Sequence, residues 1–494
     1  MAKKDKLNLL GSEVCNDYLG FTPTSNSVKP PHIANGLFRE ITNEVCDFTD
    51  VHEWIVSERK SKALSSEEII LKYKDILWQG EKEDPANIKE IRFLLDDIFN
   101  PDNTVYPSYP FSVANISSHW LVKESVTSEV GLGGFIFEIL AKKIEGKRSP
   151  AIDLIKQALA NDSDDLTKII KPIIVFPSEE EKRDVGEENY PPDEEIIWND
   201  CKKIIRTGFD NLAENMIRTG DSKNSLIVLE RMVNYSCFAA FYYLININAV
   251  NNGAENSPIL IDAGGDIDSI KKASELCYSR AKTSVEDYYI ESIDAILHIE
   301  VAKNSKESCK EWMQNMVFSD EEEEEEISNA LKSYFDSFCD DGDNPIHALA
   351  HALQIVLYTF RYKKNSSPSE FCRVLGVRCG LIGPRGNRAT VKRYLISSFM
   401  LETLTYSILS EDDIEDGIEL KDLSRKFTEA YNILLGADVD NEYQILESAN
   451  VAQSTPGDLR GEMSVNAQHI AETYISLGMA HRYADGVTII GRRD

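Results

Sequence analysis

No stretch of this 494-residue chain is apolar for long enough to span a bilayer. The most apolar run, Cys237 to Val250, is short and carries two Asn. A spanning helix needs about 20 mostly apolar residues. The early lysines lead into no sustained apolar region, so a secretory signal is not expected. The nine cysteines include no CxxC pair. A zinc site is therefore not expected, and buried reduced thiols in a cytoplasmic protein are. Walker A, Rossmann, G-x-S-x-G and kinase signatures are all missing, so no cofactor is expected. Basic residues are few: Lys and Arg total 53 against 83 Asp and Glu, a net charge of -30. That excludes a generally basic coat for nucleic acid and leaves room for a local basic site. Disorder throughout is excluded by 42% hydrophobic residues.

What is present reads as a mainly α, multi-domain helical protein with few short strands. Residues 1–48, broken by Pro30-Pro31 and FTPTSNS, read as an irregular arm. Residues 49–176 read as a helical domain. Ser65 and Glu68 have capping-box spacing there, Asp84-Pro85 is a helix start, and 101–118 is a three-proline loop. Residues 177–195 are rich in Pro and acid and read as a linker. Residues 196–318 form a middle helical domain. Its helix LIVLERMVNYSCFAAFYYLINI is apolar nearly all round and so central. SPILIDAGGD is one buried strand ending in a glycine turn. Asp320 to Glu326 are all acidic. Most simply they open a solvated helix, where negative charge suits the dipole; mimicry of DNA is the sharper alternative.

Residues 319–393 end in a reversal of charge. From Arg361 to Arg393 the net charge is +8, leaving -38 on the remainder. In RVLGVRCGLIGPRGNRATVKRYLISSF, glycines alternate with Arg373, Arg378, Arg385, Arg388, Lys392 and Arg393. A glycine-rich turn leading into a helix, with arginines nearby, is the pattern of a phosphate cradle. These six residues are the candidate nucleic-acid contacts. The competing reading pairs them with the chain's many carboxylates.

Residues 394–494 read as a winged-helix-like module: helices, then VNAQHIAETYISLG, then a hairpin of MAHRY and VTIIG around Asp485-Gly486. Gly478 is placed to end the last helix. That helix has no Lys or Arg, and the wing offers only Arg482, Arg492 and Arg493. Contact with protein is thus at least as well supported as reading of DNA.

Two smaller constellations are weighed against packing. His347 and His351 share a helix face at i, i+4 but lack the Glu of HExxH; they read as a packing pair, with Asp340, Asp341 and Asp343 capping the helix. His298 reads as a packing residue. Asp262, Asp266 and Asp268 follow the strand, where acids can hold Mg²⁺, but a single strand offers no parallel sheet to support that chemistry. Turn and cap roles are expected, and no metal ligand is assigned.

Two groups of segments carry a resemblance. One is ERMVNYSCFAAFYYLININ with SPILIDAGGDIDSIKKASELCYSRAKTSVEDYY. The other is LGVRCGLIGPRGNRATVKRYLISSFMLETL with YNILLG and VNAQHIAETYISLGMAHRYADGVTII. Together they resemble accessory proteins encoded in bacterial anti-phage defence gene clusters, beside ATPases, helicases or DNA-modification enzymes. The resemblance implies a cytoplasmic component of a multi-protein machine and supplies no catalytic residue. The expectation is a non-catalytic adaptor or DNA-sensing subunit. It would touch phosphates through the basic island and partner proteins through acidic surfaces. The alternatives are a metal-dependent nuclease or nucleotide hydrolase built on Asp262, Asp266 and Asp268, and an acidic DNA mimic or inhibitor.

Overall fold

Long amphipathic and apolar periods dominate the chain, and the computed structural model is accordingly mainly helical with short strands. It describes residues 5–24, 28–42, 46–47, 112–116, 121–123, 129–160, 190–193, 196–316, 321–362, 366–386, 391–484 and 486–491, with a few single residues between 65 and 93. No helix among the described residues is long and apolar enough to cross a membrane. The chain forms two compact units, whose boundaries differ from those read in the sequence. One comprises Met1–Val28, Asn199–Ile205 and Cys237–Asp494; the other comprises Lys29–Trp198 and Arg206–Ser236.

In the second unit, helix Pro30–Thr42 packs on helix Leu132–Ala141. Glycine makes the crossing close: a Cβ on Gly133 would lie 2.3 Å from the Gly36 carbonyl carbon. Arg39 donates to the buried Glu129 at 2.9 and 3.2 Å. The supposed irregular arm is therefore helical here, as it is over Lys6–Glu13. Pro30-Pro31 begins a helix instead of breaking one, because Pro at the first turn lacks only an N–H that would have no partner anyway. Ser65 and Glu68 do form the reciprocal capping box, at 2.7 and 3.2 Å. Asp84-Pro85 lies outside the described residues. The three-proline loop holds a strand, Ser112–Ile116, paired antiparallel to Leu121–Lys123. The end of the acidic linker is also ordered. Tyr190 stacks on Phe137 at 5.5 Å with the Arg148 guanidinium 3.7 Å from its ring, and the Asp193 carbonyl accepts from Lys142. A single aromatic anchor, Tyr190, packs this end of the segment.

The first unit carries helix α1 (Lys6–Glu13) and the C-terminal part of α2 (Ser225–Asn251). Residues Cys237 to Ile247 of α2 are all buried, as the all-round apolar pattern requires. Then come strand β1 (Ile259–Leu260), helices α3 (Asp268–Glu300), α4 (Glu321–Asp340), α5 (Pro345–Val356) and α6 (Pro368–Arg378), and strands β2 (Ile382–Gly383) and β3 (Arg393–Tyr394). The C-terminal module follows: α7 (Ser398–Tyr406), β4 (Ile418–Glu419), α8 (Leu420–Tyr431), β5 (Ile433–Leu434), α9 (Val439–Ser448), α10 (Leu459–Ser476), β6 (Ala480–Arg482) and β7 (Thr488–Ile490).

Aromatic contacts from α2 seat the strands. Phe241 meets Tyr394 of β3 edge-on at 6.2 Å, and Phe238 meets Tyr431 at the end of α8 at 5.0 Å. β1 pairs in parallel with β5, Ile259 opposite Ile433 and Leu260 opposite Leu434. Ile261 bridges in parallel to Tyr394. The strand expected to stand alone therefore has parallel neighbours on both sides. They come from residues more than a hundred positions away, which no local pattern announces. In the module, β6 and β7 form the expected hairpin, and β4 pairs with β7, giving the order β4-β7-β6. Gly478, at φ 70°, ends α10 as anticipated.

Candidate functional site

Asp262 stands at the carboxyl end of β1, where ligands of parallel sheets commonly bind. Here it is a structural anion. Its Oδ2 accepts from Arg393 Nε at 2.5 Å and its Oδ1 accepts from the Gly265 N–H at 2.7 Å, with the carboxylate 1% exposed. Asn466 of α10 ties the same corner together. It donates to the carbonyls of Ile261 and Leu435 and accepts from the Ala263 N–H. A Cβ on Gly264 would lie 2.1 Å from His469 Nδ1, so a larger residue there must displace that ring. Asp266 points outward, 3.8 Å from His469, and Asp268 is almost fully exposed beside Lys271 at 3.1 Å. The three acids do not converge. No group of three or more His, Cys, Asp or Glu among the described residues is arranged to hold a metal ion.

The basic island is dispersed into separate contacts. Arg373 pairs with Glu370 at 2.8 Å. Arg378 donates to the Val28 carbonyl. Lys392 is buried and donates to the carbonyls of Pro384 and Gly386 at 2.8 and 3.2 Å. Burial, with Arg373 nearby, holds its ammonium below the usual lysine range. Arg393 serves Asp262 as above. Arg361, in the same stretch, pairs with buried Asp5 at 2.6 Å. Arg385 is exposed and makes no ion pair among the described residues, and Arg388 lies outside them. The glycine-rich turn does not lead into a helix: it joins antiparallel β2 and β3, Ile382 opposite Tyr394. Among the described residues the turn therefore shows strand pairing where a helix start was expected. The turn spends its backbone groups on a hairpin and on Lys392.

The acidic run opens α4, with Glu324 to Glu326 exposed and Ile327 buried, as a solvated helix start requires. His351 stacks on Phe338 at 4.0 Å and 9°. His347 turns instead to Asp294 at 3.4 Å, and Asp294 also faces His298 at 3.2 Å. His298 is thus half-exposed beside a carboxylate where packing was expected. Asn344, not the upstream aspartates, caps α5 by accepting from the Ile346 N–H. The eight cysteines with described side chains are buried thiols outside any disulfide, and burial pushes Cys379 up to about 12. Such thiols are inert.

A concavity lies in the C-terminal module. It is a cleft of about 540 Å³ between α10 and the hairpin, reached by Glu419, Lys421 and Arg482. It exists because the lining face of α10 carries Ser464, Ala467 and Ala471, small residues at i, i+3 and i+7. Glu442 fixes an adjoining wall. Its buried carboxylate accepts from the N–H groups of Gly436 and Asp438 at 2.6 and 3.2 Å and from Ser424 at 2.5 Å. Burial raises its pKa against those hydrogen bonds. Sequence reasoning named Arg482 only as a wing residue and missed the cleft. The small-residue spacing on the last helix was the signal for it.

No family model, curated protein or solved structure matches this chain.

Proposed function

We propose that this chain is a non-catalytic adaptor subunit that holds another protein through a winged-helix-like C-terminal module. The sheet order supports the winged-helix reading: β4, lying between α7 and α8, pairs with the last strand, and the hairpin follows α10 directly. The observation that carries a protein partner over a DNA duplex is the charge of α10, the helix placed to read a groove. Its single Lys or Arg is Arg460, which is committed to Asp440. The module as a whole, residues 394–494, has seven Lys or Arg and 18 Asp or Glu, a net charge of -11. Affinity for DNA grows with the number of phosphates neutralised, and this surface neutralises few.

In this reading the partner is a protein of the same gene cluster, an ATPase or helicase included, and the assembly works in the cytoplasm. The resemblance to accessory proteins of anti-phage defence clusters supports that choice. Arg385 would be a point of contact for nucleic acid brought by the assembly, not a DNA sensor of this chain alone.

The test is co-expression of the tagged chain with each neighbouring gene product, followed by size-exclusion chromatography with light scattering. A stoichiometric complex is expected with at least one. Elution of the chain alone in every case would overturn the adaptor reading. A parallel titration with short double- and single-stranded DNA should show weak binding. Tight binding that falls steeply with salt and is lost in R385E would restore the DNA-sensing role in its place.

A further inference from the structure

We propose that the cleft between α10 and the β6–β7 hairpin takes a short peptide segment of the partner protein through one Asp or Glu side chain, held by Arg482 and Lys421. This rests on the adaptor reading and names the chemistry it uses.

Three observations converge on it. The first is room. Ser464, Ala467 and Ala471 leave about 540 Å³ open beside the hairpin, within the range of pockets that hold ligands. The second is charge. Among the described residues of the module, Lys426, Arg425, Arg460 and Lys421 each reach a carboxylate. Arg482 is exposed and reaches none among the described residues, which hold 16 of the module's carboxylates and leave out Asp485 and Asp494. Lys421 is held loosely, at 3.6 Å from Asp438 with its side chain 59% exposed, so its ammonium is available to a second anion. Glu419 is the acid in the lining. A guanidinium without a carboxylate suits a carboxylate ligand, because its planar fork donates two parallel hydrogen bonds.

The third is the field of the whole chain. A net charge of -30 opposes any polyanion. For a single carboxylate, charges beyond about 8 Å are largely screened at physiological salt, and the lining presents Arg482 and Lys421 against the one acid Glu419. The ligand is thus one acidic side chain in a peptide of otherwise low charge, not an acidic tract and not nucleic acid.

The test uses terminally blocked peptides of about a dozen residues, tiling the neighbouring gene products on an array. The array is probed with the full-length chain, wild type and R482E. Retained peptides should share an Asp or Glu and lose about tenfold or more in affinity when it becomes Gln or Asn. The R482E chain should lose them likewise, and Glu→Arg in the peptide should restore binding to R482E. Retention that ignores the carboxylate, equal retention by R482E, or no retained peptide would each overturn the proposal. Co-purification of a whole partner separates the two readings. A partner held equally by wild type and R482E overturns the cleft and leaves the adaptor. A partner held by neither overturns the adaptor.

Discussion

Arg393 Nε lies 2.5 Å from Asp262 Oδ2, joining the end of one short strand to the start of another across 131 positions of sequence. Asp262 is nearly inaccessible and Arg393 largely so. Removing one member of such a pair leaves a buried charge without compensation, at a cost of about 3–5 kcal/mol. R393A should therefore lower the urea midpoint markedly. D262L/R393M, which removes both charges, should recover most of the loss. If R393A were as stable as wild type, the pair would have no structural role.

The two neighbouring glycines of helix Leu132–Ala141 should respond in opposite directions. Alanine at Gly133 drives a Cβ into the backbone of Gly36, an overpacking worth about 1–3 kcal/mol or more. Alanine at Gly134 meets nothing within 4 Å. It should stabilise by about 0.5–1 kcal/mol through helix propensity. Thermal melts of G133A and G134A distinguish the two directly.

Glu442 should behave as a positioning residue for the wall of the cleft. E442A leaves three donors, the Gly436 and Asp438 N–H groups and the Ser424 hydroxyl, without their acceptor. Each stranded donor costs about 1–3 kcal/mol if it stays buried. E442Q keeps one acceptor oxygen and sets an amide donor against donors, so it should fall between Ala and wild type. Chemical denaturation orders the three proteins. Peptide retention should fall in the same order.

His351 should make stability depend on pH near neutrality. Burial, with His347 beside it, lowers its pKa from the ordinary 6.5. The unfolded chain therefore takes up a proton at a higher pH than the folded one. The stability this ring contributes is present above about pH 6.5 and is lost as pH falls from there through the lowered folded value. H351F keeps the stack on Phe338 and removes the proton. Melting temperatures between pH 8 and pH 5 should fall less steeply in H351F than in wild type. Identical slopes would show that the ring does not carry the effect.

Local signals were legible wherever one segment decides its own conformation. The capping box at Ser65 and Glu68, the all-round apolar helix at Cys237, the acidic opening of α4, the terminal hairpin and the Gly478 stop all follow from residues within a few positions of one another. Pro30-Pro31 misled for the converse reason. The same dipeptide breaks a helix from inside and starts one from its first turn, and only the packing of Ile33, Leu37 and Phe38 decides which.

Composition and residue pattern together determined that the chain is mainly helical, strongly acidic and without a membrane-length apolar run. It also isolated the basic island. Tertiary structure alone decided what the island's charges do. Arg393 finds Asp262, Arg361 finds Asp5, Lys392 finds two carbonyls, and Arg482 lines a cleft while making no ion pair among the described residues. The physical reason is range. Periodicity and capping act over a turn or two of chain, whereas an ion pair or a parallel strand is specified by the distance between atoms after folding, which sequence separation does not encode.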